Sequence, residues 1–169
     1  MEKHLILRNA HENERKIIRD ITIEAYAEYQ AVMPLDFWTR YRHNLIVTLD
    51  GEGTFDQIVV EQNGSIIGSV SLYPPAADSY KGAAISIPYP EVRHLAVLLQ
   101  ARGQGIGTVL MKECERRARE TGAQAIGLHT AEVMQTAIRM YERLGFVRTP
   151  ETDFQPSEGV VVLGYRHTF

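Results

Sequence analysis

Residues 91–107 constrain the fold more than any other stretch of the chain. An extended run with apolar residues at Leu95 and Val97 passes into a turn holding Gly103, Gly105 and Gly107. Apolar positions then recur at Ile106, Val109, Leu110, Cys114 and Ala118, the spacing of one helix face. The first N–H groups of such a helix have no intrahelical partner, and the helix dipole favours negative charge beside them. Glycine lets the chain turn sharply and lets an anion approach with no Cβ in the way. Arg102 adds a cation next to the turn. The stretch therefore predicts a diphosphate cradle spanning Arg102, Gly103, Gln104, Gly105, Ile106, Gly107 and Thr108.

Two familiar cradles do not fit. A dinucleotide fingerprint, G-x-G-x-x-G, counted from Gly103 would end at position 108, which is threonine. The strand expected next, over 124–129, ends in His129 with no carboxylate placed for a ribose. A Walker loop needs Gly-Lys followed by Ser or Thr, and the chain has none.

Around this stretch the pattern gives one domain over residues 1–169. With 44% apolar and 23% charged residues the chain has a globular composition. Its formal net charge of −3 argues against a nucleic-acid or membrane surface. A lone cysteine cannot form an internal disulfide, which suits a reducing cytoplasm. The N-terminal apolar run is too short for a signal peptide, and no stretch reaches the length of a membrane span.

Residues 4–8 read as a strand, and Asn9 with Glu12 reads as a capping box opening a helix over 12–29. Ile17, Ile18, Ile21, Ala25 and Tyr29 mark its apolar face. Pro34 opens a second helix that Gly51 and Gly53 end. Strands at 55–61 and 65–73 flank Asn63-Gly64, a strong hairpin signal. The four prolines of 74–90 predict a long irregular loop. After the cradle helix come the strand at 124–129, a helix ending at Gly145, and closing strands at 146–148 and 160–166 around a polar loop. The order β-α-α-β-β-β-α-β-α-β-β is that of an α/β sandwich on a mixed, mostly antiparallel sheet flanked by helices.

Arg102-Gly-Gln-Gly105-Ile-Gly107 reads as R/Q-x-x-G-x-G/A, and Ala137-Ile-Arg-Met-Tyr141-Glu-Arg-Leu-Gly145-Phe146 is a helix bearing a tyrosine and closing on Gly-Phe. In this order, with a strand between them, the two resemble the signatures of the GNAT superfamily of acetyl-CoA-dependent N-acetyltransferases. The element order matches that superfamily as well.

Acetyl transfer to nitrogen makes three demands. The amine must lose a proton, since an alkyl ammonium has a pKa of about 10. The tetrahedral oxyanion needs a donor, and the departing thiolate needs an acid. By resemblance, Glu91 at the head of the strand is the base, acting directly or through water. A solvated strand-end carboxylate is the plain alternative. The same resemblance makes Tyr141 the general acid, against the alternative of a core tyrosine bonded to a carbonyl. Leu95, Ala96 and Val97 would hold the pantetheine arm through their backbone, with an N–H near Val97 for the oxyanion. Ala137 belongs to the cofactor-binding helix, and Met134 stands where many members carry Asn. A thioether cannot replace the amide's hydrogen bonds, so the backbone cradle is expected to bind without them.

Cys114 raises an acyl-cysteine route, but a thiol in mid-helix on an apolar stripe, with no base beside it, reads as buried and inert. Transfer is then direct, in a ternary complex. The six histidines show no metal-ligand spacing. Tyr26, Tyr29, Phe37, Trp38 and Tyr80 fall in the regions where the superfamily admits its acceptor. The expectation is an acetyltransferase using acetyl-CoA and the primary amine of a small molecule, with no metal, no nucleic acid and no membrane. By analogy alone it is a homodimer. A protein or peptide N-acetyltransferase and a non-catalytic acyl-CoA sensor stay open beside it.

Overall fold

The computed structural model describes residues 4–53, 55–75 and 87–169. β1 (Leu5–Asn9) leads through a 3-10 turn at Glu12–Glu14 into α1 (Arg15–Tyr26). Asn9 is held in β1 opposite Ile58, so it does not cap the helix as its sequence context predicts. Glu14 does that work: its carboxylate accepts the His11 N–H at 2.7 Å and also binds Arg8. α1 buries Ile18, Ile21, Thr22 and Ala25, one stripe at helical spacing, while Ile17 stays exposed. A 3-10 segment, Ala27–Ala31, takes over before Tyr29.

Pro34 sits just outside α2 (Leu35–Asp50), and Gly51 closes that helix by donating its N–H to Val47. β2 (Asp56–Gln62) and β3 (Ser65–Tyr73) form the hairpin that Asn63-Gly64 predicts. Both turn residues are left-handed, with φ of 51° and 80°. β4 (Glu91–Val97), α3 (Ile106–Glu120), β5 (Ala125–Ala131) and α4 (Gln135–Arg143) follow, then β6 (Val147–Arg148), β7 (Phe154–Ser157) and β8 (Val160–Thr168). β7 lies within the segment whose polar sequence predicts only a loop. The long loop expected at 74–90 falls largely outside the described residues.

The strands form one sheet in the order β1-β2-β3-β4-β5-β8-β6, with β7 paired to β8. Every pair is antiparallel except β4–β5. Alternation along β2 divides the interior. Ile58 and Val60 join the core beneath α3 and α4, with Leu110, Met111, Cys114, Ile126, Leu128 and Ile138. Val59 faces the other way, onto Ile18, Ile21 and Ala25 of α1. On α3, Val109 is 37% exposed and Met111 is buried in its place, a small rotation of the predicted stripe. No helix among the described residues is long and apolar enough to cross a membrane.

Candidate active site

β4 and β5 pair in parallel only at Glu91 opposite Gly127 and Val92 opposite Leu128. Beyond that point they diverge, which leaves a wedge in the middle of the sheet. The divergence coincides with an irregularity on the other side of β4, where its register against β3 shifts between Ser69 and Ser71. His94 takes a left-handed φ of 55° there. A bulge of this kind bends the strand and re-aims its side chains.

After the bulge the ladder resumes, with Ser69 opposite Ala96 and the Leu98 N–H donating to Ile67 O at 3.0 Å. Alternation then turns Ala96 toward β3 and leaves the Leu95 carbonyl and both Val97 backbone groups on the wedge side. Two side chains engage this edge. The Tyr26 hydroxyl donates to Leu95 O at 2.7 Å, and Arg102 Nε donates to Val97 O at 3.3 Å. The Val97 N–H is therefore a main-chain donor turned toward the wedge.

The cradle follows at once. A 3-10 turn, Leu99–Ala101, leads to Gly103 and Gly105, with φ of 74° and 79°. The first helical bond of α3 runs from Val109 N–H to Gly105 O, so the N–H groups of Ile106, Gly107 and Thr108 precede any i−4 acceptor within the helix. Gln104 is exposed, with its amide on Gln100 O. Gly107 differs from its two neighbours. It is helical, and a Cβ there would lie 3.1 Å from Met140 Sδ, so it serves the approach of α3 to α4 rather than the turn. Arg102 also departs from expectation. Beyond Val97, its guanidinium binds Glu28 at 2.9 Å and Ala25 O at 3.0 Å, tying the end of α1 to the cradle.

Tyr141 lies on the inner face of α4, 7% exposed, with its ring 6.1 Å from that of Phe146. Burial pushes its phenol well above the usual range, and Tyr29, Tyr41 and Cys114 add to the effect. Among the described residues its hydroxyl has no hydrogen-bond partner, unlike a core tyrosine tied to a carbonyl. Ala137 is half-buried on the same helix, and Met134 caps the helix start. The Met134 sulfur accepts from Thr130 Oγ1 at 3.6 Å.

Glu91 is not a solvated strand end. It is 2% exposed, its Oε1 is 3.0 Å from Arg93 Nε, and its Oε2 is 3.5 Å from His129 Nδ1. Arg93 lies over the Tyr73 ring at 4.1 Å, and the second ring nitrogen of His129 meets Thr152 O at 2.9 Å. Sequence reasoning overlooks Arg93 and His129. Period-2 spacing from Glu91 could have flagged Arg93, whereas His129 is brought near only by strand pairing.

The acetyltransferase (GNAT) family profile matches residues 16–146. The chain belongs to this family. Over 101 residues, 60% of the chain, it is 34% identical to Probable N-acetyltransferase family 8 member 5 of Mus musculus. That match spans 41% of the relative, so the chain covers about two fifths of the curated protein it resembles. Among solved structures, one from Corynebacterium glutamicum, described as histone acetyltransferase HPA2 and related acetyltransferase, superposes with a TM-score of 0.71. It is 20% identical, with 97% of this chain and 96% of that chain covered. The PaiA N-acetyltransferase of Thermoplasma acidophilum, solved in complex with coenzyme A, gives 0.71 at 13% identity, with 98% and 99% covered.

In this GNAT chain Tyr26, Tyr29, Phe37 and Trp38, singled out from sequence, gather with Tyr41 where α1 and α2 meet. Tyr26 contacts Tyr29 edge-on at 6.0 Å and stacks with Tyr41 at 6.4 Å, and Phe37 stacks with Tyr41 at 5.8 Å. Trp38 is buried with Met33 and Ala131 and is core, while Tyr26, Tyr29, Phe37 and Tyr41 are half-buried. Tyr80 lies outside the described residues. Cys114 is fully buried, and desolvation pushes its thiol up to about 12, so it offers no thiolate for an acyl-enzyme. Among the described residues no cluster of three or more His, Cys, Asp or Glu could hold a metal ion.

Proposed function

We propose that the chain is an N-acetyltransferase that moves an acetyl group from acetyl-CoA directly to the primary amine of a small molecule. The observation that carries this reading is the junction of the β4–β5 wedge with the cradle: a strand edge that β5 leaves unpaired at Val97 runs straight into the left-handed turn at Gly103 and Gly105. The edge suits an extended amide-bearing arm, and the first-turn N–H groups of α3 suit a diphosphate. A reducing cytoplasm suits the buried Cys114 thiol.

In this reading the amine's lone pair attacks the thioester carbonyl carbon, and the Val97 N–H stabilises the oxyanion. The nitrogen's surplus proton passes to Glu91, which lies against Arg93, directly or through water. The C–S bond breaks, and Tyr141 gives its proton to the sulfur. The proton collected by Glu91 restores the phenol, so the products are the amide and free coenzyme A thiol. The half-buried rings of Tyr26, Tyr29, Phe37 and Tyr41 support a compact apolar acceptor.

Thiol release from acetyl-CoA across a panel of arylalkyl amines, polyamines and free peptides tests the proposal, with mass spectrometry of the products. Turnover confined to small amines is the expected result. Acetylated peptides alone would reassign the acceptor. Coenzyme A binding with no thiol release from any amine would leave a sensor domain instead.

A further inference from the structure

His94 stands at the β4 bulge, one residue before the wedge edge, and the mechanism above does not use it. Its neighbours determine its tautomer. Gln57 Nε2 donates to Val70 O at 3.0 Å, which fixes the amide with Oε1 toward Ser71. That oxygen can only accept, so the Ser71 hydroxyl proton, at 2.9 Å, is committed to it. Ser71 Oγ must then accept from His94 Nδ1, 3.2 Å away. A neutral ring that donates from Nδ1 carries its lone pair on Nε2. Among the described residues nothing donates to that nitrogen.

The ring also stays neutral. Desolvation, helped by the Arg93 charge, takes its pKa down to about 4, so the lone pair persists throughout the neutral range. Such a weak base is no proton sink for an alkyl amine, but it is a constant hydrogen-bond acceptor. The left-handed φ of 55° is uncommon for a residue other than glycine and is often found at functional sites. His94 is half-buried, and Ser71 and Tyr73 place it on the face of the sheet that α1 covers, away from α3.

We propose that His94 Nε2 receives an N–H of the acceptor amine, with Gln57 and Ser71 as positioning residues that hold the lone pair ready. The inference rests on the N-acetyltransferase reading for its ligand. It makes the acceptor subsite selective for an N–H donor and indifferent to the cofactor.

The test uses the full chain with 15N-labelled imidazoles and coenzyme A bound, titrated with 2-phenylethylamine as the probe. Wild type should show an unprotonated Nε2 whose resonance moves on saturation. His94→Asn suits the left-handed backbone and can still donate to Ser71, yet is too short to replace Nε2. It should raise the amine KM about tenfold, the loss of one hydrogen bond, with the acetyl-CoA KM unchanged. Ser71→Ala should raise the amine KM less, and adding it to His94→Asn should do nothing further. A protonated Nε2 in wild type, or an unaltered amine KM in His94→Asn, overturns the proposal. If wild type releases no thiol while Nε2 still responds to the amine, the subsite stands and the catalytic reading falls. If neither occurs, both fall.

Discussion

A buried phenol with no hydrogen-bond partner among the described residues suits the proposed role of general acid. Burial holds the Tyr141 proton on its oxygen far into the alkaline range, which supports its proposed role as the acid that meets the departing thiolate. Tyr141→Phe keeps the ring and its packing on Phe146 and removes only that proton. We expect kcat to fall roughly 10²–10⁴-fold, the usual weight of a positioned acid, with the acetyl-CoA KM little changed. The acid form exists below its pKa, so wild-type kcat should show no falling limb from this group below about pH 10. Loss of affinity in place of rate would make Tyr141 a packing residue. At this scale the sequence was informative where a residue lies inside a contiguous signature, as Tyr141, Gly105 and Arg102 do. It was silent on His94 and His129, because Ser71 and Glu91 reach them only through strand pairing and the bulge.

Among the elements, the cradle turn is the place where sequence dictates backbone most directly. Gly105 opens α3 in the left-handed region, and a Cβ there would meet nothing within 4 Å. Gly105→Ala should therefore cost about 1 kcal/mol through backbone conformation alone, without steric collision. A urea midpoint measures that, and calorimetry with coenzyme A should show weaker binding as the turn relaxes. An unchanged midpoint would mean that the turn is not held in this conformation. Boundaries elsewhere were less legible. Asn9 and Glu12 have the spacing of a cap, but pairing with Ile58 claims Asn9 for β1, and His11 with Glu14 takes over. β7 was invisible because Gln155, Pro156 and Ser157 carry no strand pattern; pairing with β8 alone makes them extended. Both misses come from tertiary pairing outweighing local preference.

The whole molecule hangs on β2 from several sides, and its charged ties make the assembly sensitive to acid. Arg8 binds Glu14 and Glu61, which joins β1 and the start of α1 to β2. Arg117 binds Glu113 and Asp56, which joins α3 to the same strand. Hydrogen bonds from Arg8 hold the Glu14 carboxyl at about 2, and those from Arg116 do the same for Glu113, against an ordinary 4.5. His94, neutral beside Gln57 and Ser71, is held at about 4 against 6.5. All three folded values are depressed, so as pH falls the unfolded chain takes up protons before the native one does. Above pH 6.5 none of these groups changes the balance. From 6.5 to about 4, protonation of unfolded His94 removes stability on the order of 3 kcal/mol. From 4.5 to about 2 the two carboxylates lose the advantage their arginines gave them. Urea midpoints followed from pH 8 to pH 3 should therefore fall in two stages, and His94→Asn should flatten the first while leaving the second. A midpoint constant down to pH 4.5 would place the imidazole in water, and with it would go the fixed lone pair beside the wedge.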